Sequence, residues 1–141
     1  MDGLTPRATE FLRCHARRES FHHDPIEDEL RVRAAAAEYG LAVDDVAHGL
    51  ASLKERFGGL QYRSRSWSFQ GVIRFTPVLV LDDEDPGPMV SLIEHTVAHP
   101  FGVWATLHGS VHFMFGGGYG ADYVKVFDRV EALIESDALH A

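Results

Sequence analysis

Apolar residues recur at intervals of three and four residues through the first third of the chain, which predicts helices before any strand. The first helix is expected to begin at Thr5-Pro6, because threonine caps helix ends well and proline suits the first turn. The second is expected to begin at Asp24-Pro25 for the same reason and to end at Gly40. Its apolar face is expected at four residues in helical spacing: Ile26, Leu30, Ala34 and Ala37.

The clearest apolar stripe follows that glycine and predicts a third helix with one buried face. Its members are Val46, Leu50, Leu53 and Phe57. We expect Asp44 to cap this helix and the pair Gly58-Gly59 to end it in an abrupt reversal. After the glycines, Leu60 and Tyr62 alternate with polar neighbours, and this period of two predicts a half-buried antiparallel strand.

The second half of the chain is dominated by patterns typical of strands. The apolar spacing over Met89–Val97 nevertheless predicts a short helix there. Phe101–Leu107 and Ser110–Phe115 are expected to form a hairpin around a two-residue turn, His108-Gly109, whose glycine accepts a positive φ. Tyr123–Phe127 is expected to form the last strand.

A closing helix is expected after that strand, because Asp128 and Glu131 have the spacing of a capping box. The order of elements predicts an α+β fold, a mostly antiparallel curved sheet with N-terminal helices and a C-terminal helix packed on it. The length of 141 residues fits a single domain over residues 1–141, with 1–33 as an N-terminal helical extension. The only cysteine, Cys14, is expected to be a small buried apolar residue.

Charge narrows the class of partner. The net charge of −8 argues against nucleic-acid binding, which needs a basic face, and permits a basic protein partner. No apolar run is long enough to span a bilayer, and the first residues lack the pattern of a signal peptide. One cysteine leaves no intramolecular disulfide, so we expect a cytoplasmic protein without membrane contact. The oligomeric state stays open.

An acidic turn is the first candidate for partner contact. Its four consecutive acidic residues are Asp82, Asp83, Glu84 and Asp85. Such a run can imitate nucleic-acid phosphates and match a basic cleft, or it can be a solvated turn that protects a sheet edge. Trp67, among arginines and serines, is either an exposed interface anchor or a core residue. Tyr119, at the tip of a glycine-rich loop, is a further contact candidate.

Histidines supply an alternative function. His95 and His99 are four residues apart, a spacing that can bind zinc on a helix, and His108 and His112 flank the expected hairpin turn. A metal-binding enzyme or sensor would need these side chains to converge. No Gly-x-Ser-x-Gly elbow occurs, and no catalytic residue, cofactor or metal is predicted. The expectation is a protein that is not an enzyme.

Several stretches resemble the SUKH superfamily of bacterial immunity proteins, which includes relatives of fungal cell-wall regulators. The stretch 37–41 is similar to the family's glycine-terminated helix end, and 53–60 to its helix ending in an aromatic residue and two glycines. The stretch 101–115 resembles its late hairpin, and 126–139 its closing strand and helix. The resemblance covers about residues 34 to 139, most of one domain.

The resemblance implies a cytoplasmic immunity protein that binds a cognate toxin, often a nuclease or deaminase, and neutralises it by occlusion. It carries no catalytic residue set. A third possibility, also implied by the fungal relatives, is a regulatory scaffold subunit unrelated to toxins. Under that hypothesis the alanine-rich helix would dock a partner or a second copy.

Overall fold

The computed structural model describes residues 3–20, 24–64, 72–76, 78–80, 87–93, 101–115 and 122–140. The helices are α1 Pro6–His15, α2 Pro25–Tyr39, α3 Val43–Phe57 and α4 Val130–Leu139. The strands are β1 Arg17–Arg18, β2 Leu60–Arg63, β3 Val72–Arg74, β4 Leu79–Val80, β5 Met89–Ser91, β6 Phe101–Thr106, β7 Val111–Phe115 and β8 Asp122–Phe127. Among the described residues no helix has the length and apolar character needed to cross a membrane.

The strands form two antiparallel sheets, which confirms the predicted α+β class. One sheet has the order β1-β2-β3, and the other has the order β4-β5-β6-β7-β8. An antiparallel bridge between Ile73 and Ile93 joins them, and the Arg74 amide donates to the Leu92 carbonyl at 2.8 Å. The two sheets therefore meet where β3 lies beside residues 92–93.

The helix ends follow the predicted capping chemistry at three places. The Thr5 hydroxyl accepts a hydrogen bond from the Ala8 amide at 3.3 Å, and the Asp24 carboxylate accepts one from the Ile26 amide at 3.0 Å. Gly40 ends α2 with a φ of 64°, the left-handed conformation that glycine adopts without strain. These caps fix where α1 and α2 begin and where α2 turns toward α3.

The reversal from α3 into β2 occurs at the glycine pair, as expected. Gly59 has a φ of 80°, and a Cβ atom at this position would collide with the carbonyl oxygen of Glu19. The Gly59 carbonyl accepts from the Glu19 amide at 2.9 Å, while the Gly59 amide donates to Phe75 at 3.1 Å. Glycine is therefore required here by both conformation and space.

The predicted stripe of α3 is confirmed as a core face, because all four residues are buried. Phe57 stacks on Phe75 with ring centroids 5.2 Å apart, which anchors the helix end on the sheet. Trp104 of β6 is also buried. The core therefore lies between the helices and the inner face of the sheets.

A buried polar cluster ties α4 to β2. The Asp137 carboxylate is 1% exposed and accepts hydrogen bonds from the Tyr62 and Ser64 hydroxyls, each at 2.6 Å. Burial, followed by the adjacent Asp137 charge, raises the pKa of the Tyr62 phenol well above its usual value. Both donors are needed because a buried carboxylate without partners is costly.

The stretch expected to form a helix from Met89 begins as a strand, so that prediction was wrong. Val90 lies opposite Leu79 of β4 and Ala105 of β6, so β5 has a neighbouring strand on both sides. Residues 89–92 are all buried, and a short run buried on every side has no period that separates strand from helix. Residues 94–97 of the expected helix lie outside the described residues.

The apolar face predicted for α2 was also wrong. Ile26 is 72% exposed and Leu30 is 62% exposed, and Ala34 and Ala37 are exposed as well. The buried face is formed instead by small residues on the opposite side: Val32, Ala35 and Ala36. Small side chains let α2 approach its neighbours closely. Close packing, rather than the size of the apolar side chains, therefore determines which face of α2 is buried.

Two predicted caps are absent from the described helices. Ala42 rather than Asp44 occupies the N-cap of α3, and Asp44 lies in the first turn. Arg129 occupies the N-cap of α4, and Glu131 is 4% exposed and forms an ion pair with Arg56 of α3. A buried carboxylate needs a fixed cation, so Glu131 pairs across the helices instead of capping its own.

Two smaller expectations also need correction. The hairpin is confirmed, but residues 107–110 separate its strands, and Gly109 has a φ of 89°. The wider loop lets the Thr106 amide bond to the Ser110 carbonyl at 3.0 Å. Cys14 is exposed rather than buried, because the buried residues of α1, Ala8 and Phe11, lie on a neighbouring side of the helix.

The Tyr62 contact predicts alkaline sensitivity. Tyr62→Phe removes a donor from a buried carboxylate, and we expect it to cost about 1–3 kcal/mol of unfolding free energy at neutral pH. The folded-state pKa of Tyr62 is raised, so the unfolded chain loses this proton first and stability falls as pH rises above the ordinary value of 10.0. Urea unfolding across that range should show a shallower fall for Tyr62→Phe.

Ser64→Ala is the matched control, since it removes the other hydroxyl and keeps the phenol. It should destabilise the chain but retain the alkaline fall of the native protein. An equally steep fall in Tyr62→Phe would contradict the assignment to Tyr62.

Candidate functional site

The residues proposed for partner contact lie outside the described residues. They are Asp82, Asp83, Glu84, Asp85, Trp67 and Tyr119. The histidines His95 and His99 lie outside them too, whereas His108 and His112 are described. The candidate site below is therefore built from residues that the sequence patterns did not select for partner binding.

A cleft of about 830 Å³ opens between the α2–α3 corner and the β6–β7 hairpin. Its volume lies within the range of ligand-binding clefts. Apolar walls are supplied by Leu41, Val46, Pro88 and Leu107. Polar groups come from both sides of the opening: Tyr39, Asp45, His48, Ser52, Thr106, His108, Ser110, His112, Lys125 and Asp128. We call it the hairpin cleft.

Two glycines shape the hairpin cleft. The left-handed Gly40 turns the chain between α2 and α3 and leaves Leu41 46% exposed at the opening. Gly49 lies on α3 where the hairpin loop touches the helix, and a Cβ there would be 3.0 Å from the Leu107 Cβ. A larger residue at position 49 would push the loop away from α3 and widen the cleft.

The hairpin contributes a chain of hydrogen-bonded side chains. The Thr106 and Ser110 hydroxyl oxygens are 2.7 Å apart, and the Ser110 Oγ is 3.0 Å from the His112 Nε2. His112 is 8% exposed, so most of its ring is enclosed while its bonded edge faces this chain. These hydrogen bonds and the surrounding side chains hold the His112 imidazole in one orientation on β7.

The electrostatic surroundings keep His112 neutral. Burial lowers the pKa of its imidazole, and the positive charge of Lys125 lowers it further. Lys125 lies opposite His112 in the β7–β8 register, and its Nζ is 2.9 Å from the Asp128 carboxylate. A neutral His112 can accept or donate one hydrogen bond without adding positive charge to the cleft.

Carboxylates at the cleft come from two elements. Asp45 is exposed in the first turn of α3, and Asp128 is exposed directly after β8. The ion pair with Lys125 offsets one of these charges. Among the described residues that line the cleft, two carboxylates face one lysine, and this excess favours a cationic group from a bound partner.

The Ser110–His112 pair has part of what nucleophilic catalysis needs. A neutral imidazole within hydrogen-bond reach of a hydroxyl can accept its proton. Within the described part of the chain, however, no carboxylate is hydrogen-bonded to the His112 ring to orient it as a base. The hydrogen bonds of His112 instead continue through Ser110 to Thr106. Such a fixed chain of polar side chains suits a surface for recognition.

His108 and His112 do line one cleft, although they lie in the loop and on the strand respectively. Among the described residues, no group of three or more histidine, cysteine, aspartate or glutamate side chains could hold a metal ion. The hairpin pair is therefore not complemented by a third ligand from that part of the chain.

Sequence reasoning selected His112 as a possible ligand but missed its neighbours. Asp128 was interpreted only as a helix-capping residue and Lys125 only as part of a strand, and Asp45 was not selected. The one available signal was the alternation on β7, which places Val111 and Phe113 on the face opposite His112. Which distant residues would face His112 depends on strand register, which no local pattern contains.

His112 predicts a loss of stability in acid. Its folded-state pKa is lowered, so the unfolded chain binds a proton first as pH falls below the ordinary value of 6.5. Stability is fully present above that value and declines below it. We expect His112→Gln to reduce this decline in urea unfolding between about pH 7.5 and about pH 5, whereas His108→Gln, in the exposed loop, should retain it. Identical acid profiles for native protein and His112→Gln would contradict the assignment.

Comparison of the chain with protein-family models, curated proteins and solved structures finds no match. The resemblance to the SUKH superfamily therefore stays a prediction from the quoted stretches. The fold and the hairpin cleft rest on the geometry described above.

Proposed function

We propose that this chain is an immunity-type binding protein that neutralises a basic protein toxin by covering its working surface. The resemblance to the SUKH superfamily suggests this role, and the net charge of −8 suits a basic partner. The toxin would be a nuclease or deaminase, two classes whose substrates are polyanionic or derived from polyanions. A basic active-site face on such a toxin is the surface to be occluded.

The observation that carries the proposal is the composition of the hairpin cleft. It combines an apolar wall, of which Leu41 is the exposed part, with the exposed carboxylates of Asp45 and Asp128, as a receptor for a long basic side chain requires. An arginine buries its stem against apolar surface while its guanidinium bonds to carboxylates and hydroxyls. Arginine and aromatic anchors in such pockets contribute much of the affinity at protein interfaces.

The acidic turn Asp82–Asp85, with Trp67 and Tyr119, remains the proposed outer contact. In this arrangement the acidic turn attracts the toxin during encounter, and Trp67 and Tyr119 supply aromatic contacts. The hairpin cleft then holds one basic side chain and determines the lifetime of the complex. The two roles are separable, because long-range charge changes association and buried contacts change dissociation.

If the hairpin cleft binds the toxin, reversing the charges of the cleft should reduce the protection of the host. The toxin candidate is the protein encoded beside this chain's gene, produced together with the chain in a host that the toxin inhibits. We expect the double variant Asp45→Lys and Asp128→Lys to weaken the complex by about 10- to 100-fold, because two cleft charges change sign. Growth rescue and titration calorimetry measure the effect.

Glu10→Lys with Glu55→Lys is the matched control, because it makes the same charge change on exposed helical surface away from the cleft. The control should bind nearly as the native chain does. Equal weakening by both double variants would show that net charge alone acts, and full rescue by the cleft variant would contradict the cleft role.

The acidic turn predicts a kinetic effect. Replacing Asp82, Asp83 and Asp85 by lysine should slow association with the toxin about tenfold or more at low salt, with a smaller change in dissociation. Surface plasmon resonance at two salt concentrations separates the rates. Association rates that match those of the native chain at low salt would rule out this role for the turn.

A further inference from the structure

The exposed face of α2 is a second surface that the proposed function does not use. Ile26, Leu30, Ala34 and Ala37 fall within about 80° of arc, opposite the buried face of the helix. Ile26 is 72% exposed and Leu30 is 62% exposed. Because these large apolar side chains lie one helical turn apart, they form a continuous stripe rather than scattered surface residues.

Ion pairs border this stripe on both sides. Arg31 bonds to Glu27 at 2.9 Å along one edge, and Arg33 bonds to Glu29 at 3.0 Å along the other. An apolar seam between rows of alternating charge is the arrangement of helices that pair with another helix. The seam runs from Ile26 to Ala37, about 17 Å along this 15-residue helix.

We propose that this face binds a second copy of the chain, with the two α2 helices antiparallel about a two-fold axis. The side chains of the seam are large at its N-terminal end, at Ile26 and Leu30. They are small at its C-terminal end, at Ala34 and Ala37. An antiparallel copy places the large residues of each helix against the alanines of the other. A parallel copy would place the large side chains of the two helices against each other and leave a gap between their alanines.

The charges support the same orientation. With the axis near residue 32, Glu29 of one copy lies within about one helical turn of Arg33 of the second copy along the shared edge. The two-fold axis generates this pair twice. Each such exposed pair contributes little energy.

The expected dimer is weak, because one pair of short helices covers less surface than a stable dimer needs. Sedimentation velocity of the full chain over a concentration series should show association in the range of about 10 μM to 1 mM. Leu30→Asp should weaken association at least about tenfold, since each copy loses a buried leucine contact and gains a buried charge. Leu139→Asp is the matched control, because Leu139 on α4 is also 62% exposed.

A charge exchange tests the orientation without altering the apolar seam. Arg33→Glu alone should weaken association, and adding Glu29→Arg should restore it, because the second change recreates the pair between copies. This arm also decides the proposal if Leu30→Asp lowers helix content.

Three results would each contradict the binding of a second copy. The native protein could stay monomeric up to about 1 mM. The Leu30→Asp variant could associate as tightly as the native protein, or the charge exchange could fail to restore binding. A monomeric chain whose toxin binding is sensitive to Leu30→Asp would assign this face to the toxin instead. Because the assay uses the chain alone, its outcome is independent of the hairpin cleft.

Discussion

The close approach of Gly59 to Glu19 is the constraint on which the rest of the structure depends. The backbone of Gly59 bonds to Glu19, directly after β1, and to Phe75, directly after β3, so one residue joins the end of α3 to the segments on both sides of β2. A side chain here would collide with the Glu19 carbonyl and separate the sheet from the helix. Since α3 forms one wall of the hairpin cleft, the same constraint positions the candidate site.

Three carboxylates on α4 hold the remaining elements in place. Asp137 accepts hydrogen bonds from β2, Glu131 pairs with Arg56 of α3, and Glu135 accepts from the amide and hydroxyl of Thr5 at 2.6 and 2.7 Å. Glu135 thus fixes the residue that also caps α1. Burying Asp137 and Glu131 costs solvation, and directional bonds offset that cost. The closing helix is consequently located by polar contacts as well as by apolar packing.

The sequence predicted the features that depend on neighbours along the chain. The caps at Thr5 and Asp24, the α3 stripe, the glycine reversal and the late hairpin all follow from local spacing. It failed where distant contacts decide the outcome. Strand β5 is buried on every side, so its pattern has no diagnostic period, and α2 packs through alanines whose small size made the opposite, larger face look like the core.

The candidate site was harder to predict than the fold. The hairpin cleft joins residues 39–52 of the helices to residues 106–112 of the hairpin and to Lys125 and Asp128 at the end of β8, and only the three-dimensional packing brings them together. Apart from His108 and His112, which were considered as metal ligands, its polar members were not selected from sequence, since aspartate near a helix start usually indicates a cap. The same packing left the seam of α2 exposed, which gives the chain two chemically different surfaces, one concave and partly acidic and one apolar.

The central claim is that the chain acts by holding a basic toxin against the hairpin cleft. Hydrogen–deuterium exchange of the chain, with and without a stoichiometric amount of the toxin candidate, tests it most directly. The account predicts slower exchange in the α2–α3 corner, residues 40–49, and in the hairpin loop, residues 106–112, upon complex formation. A tight complex in which both segments exchange as in the free chain would contradict it.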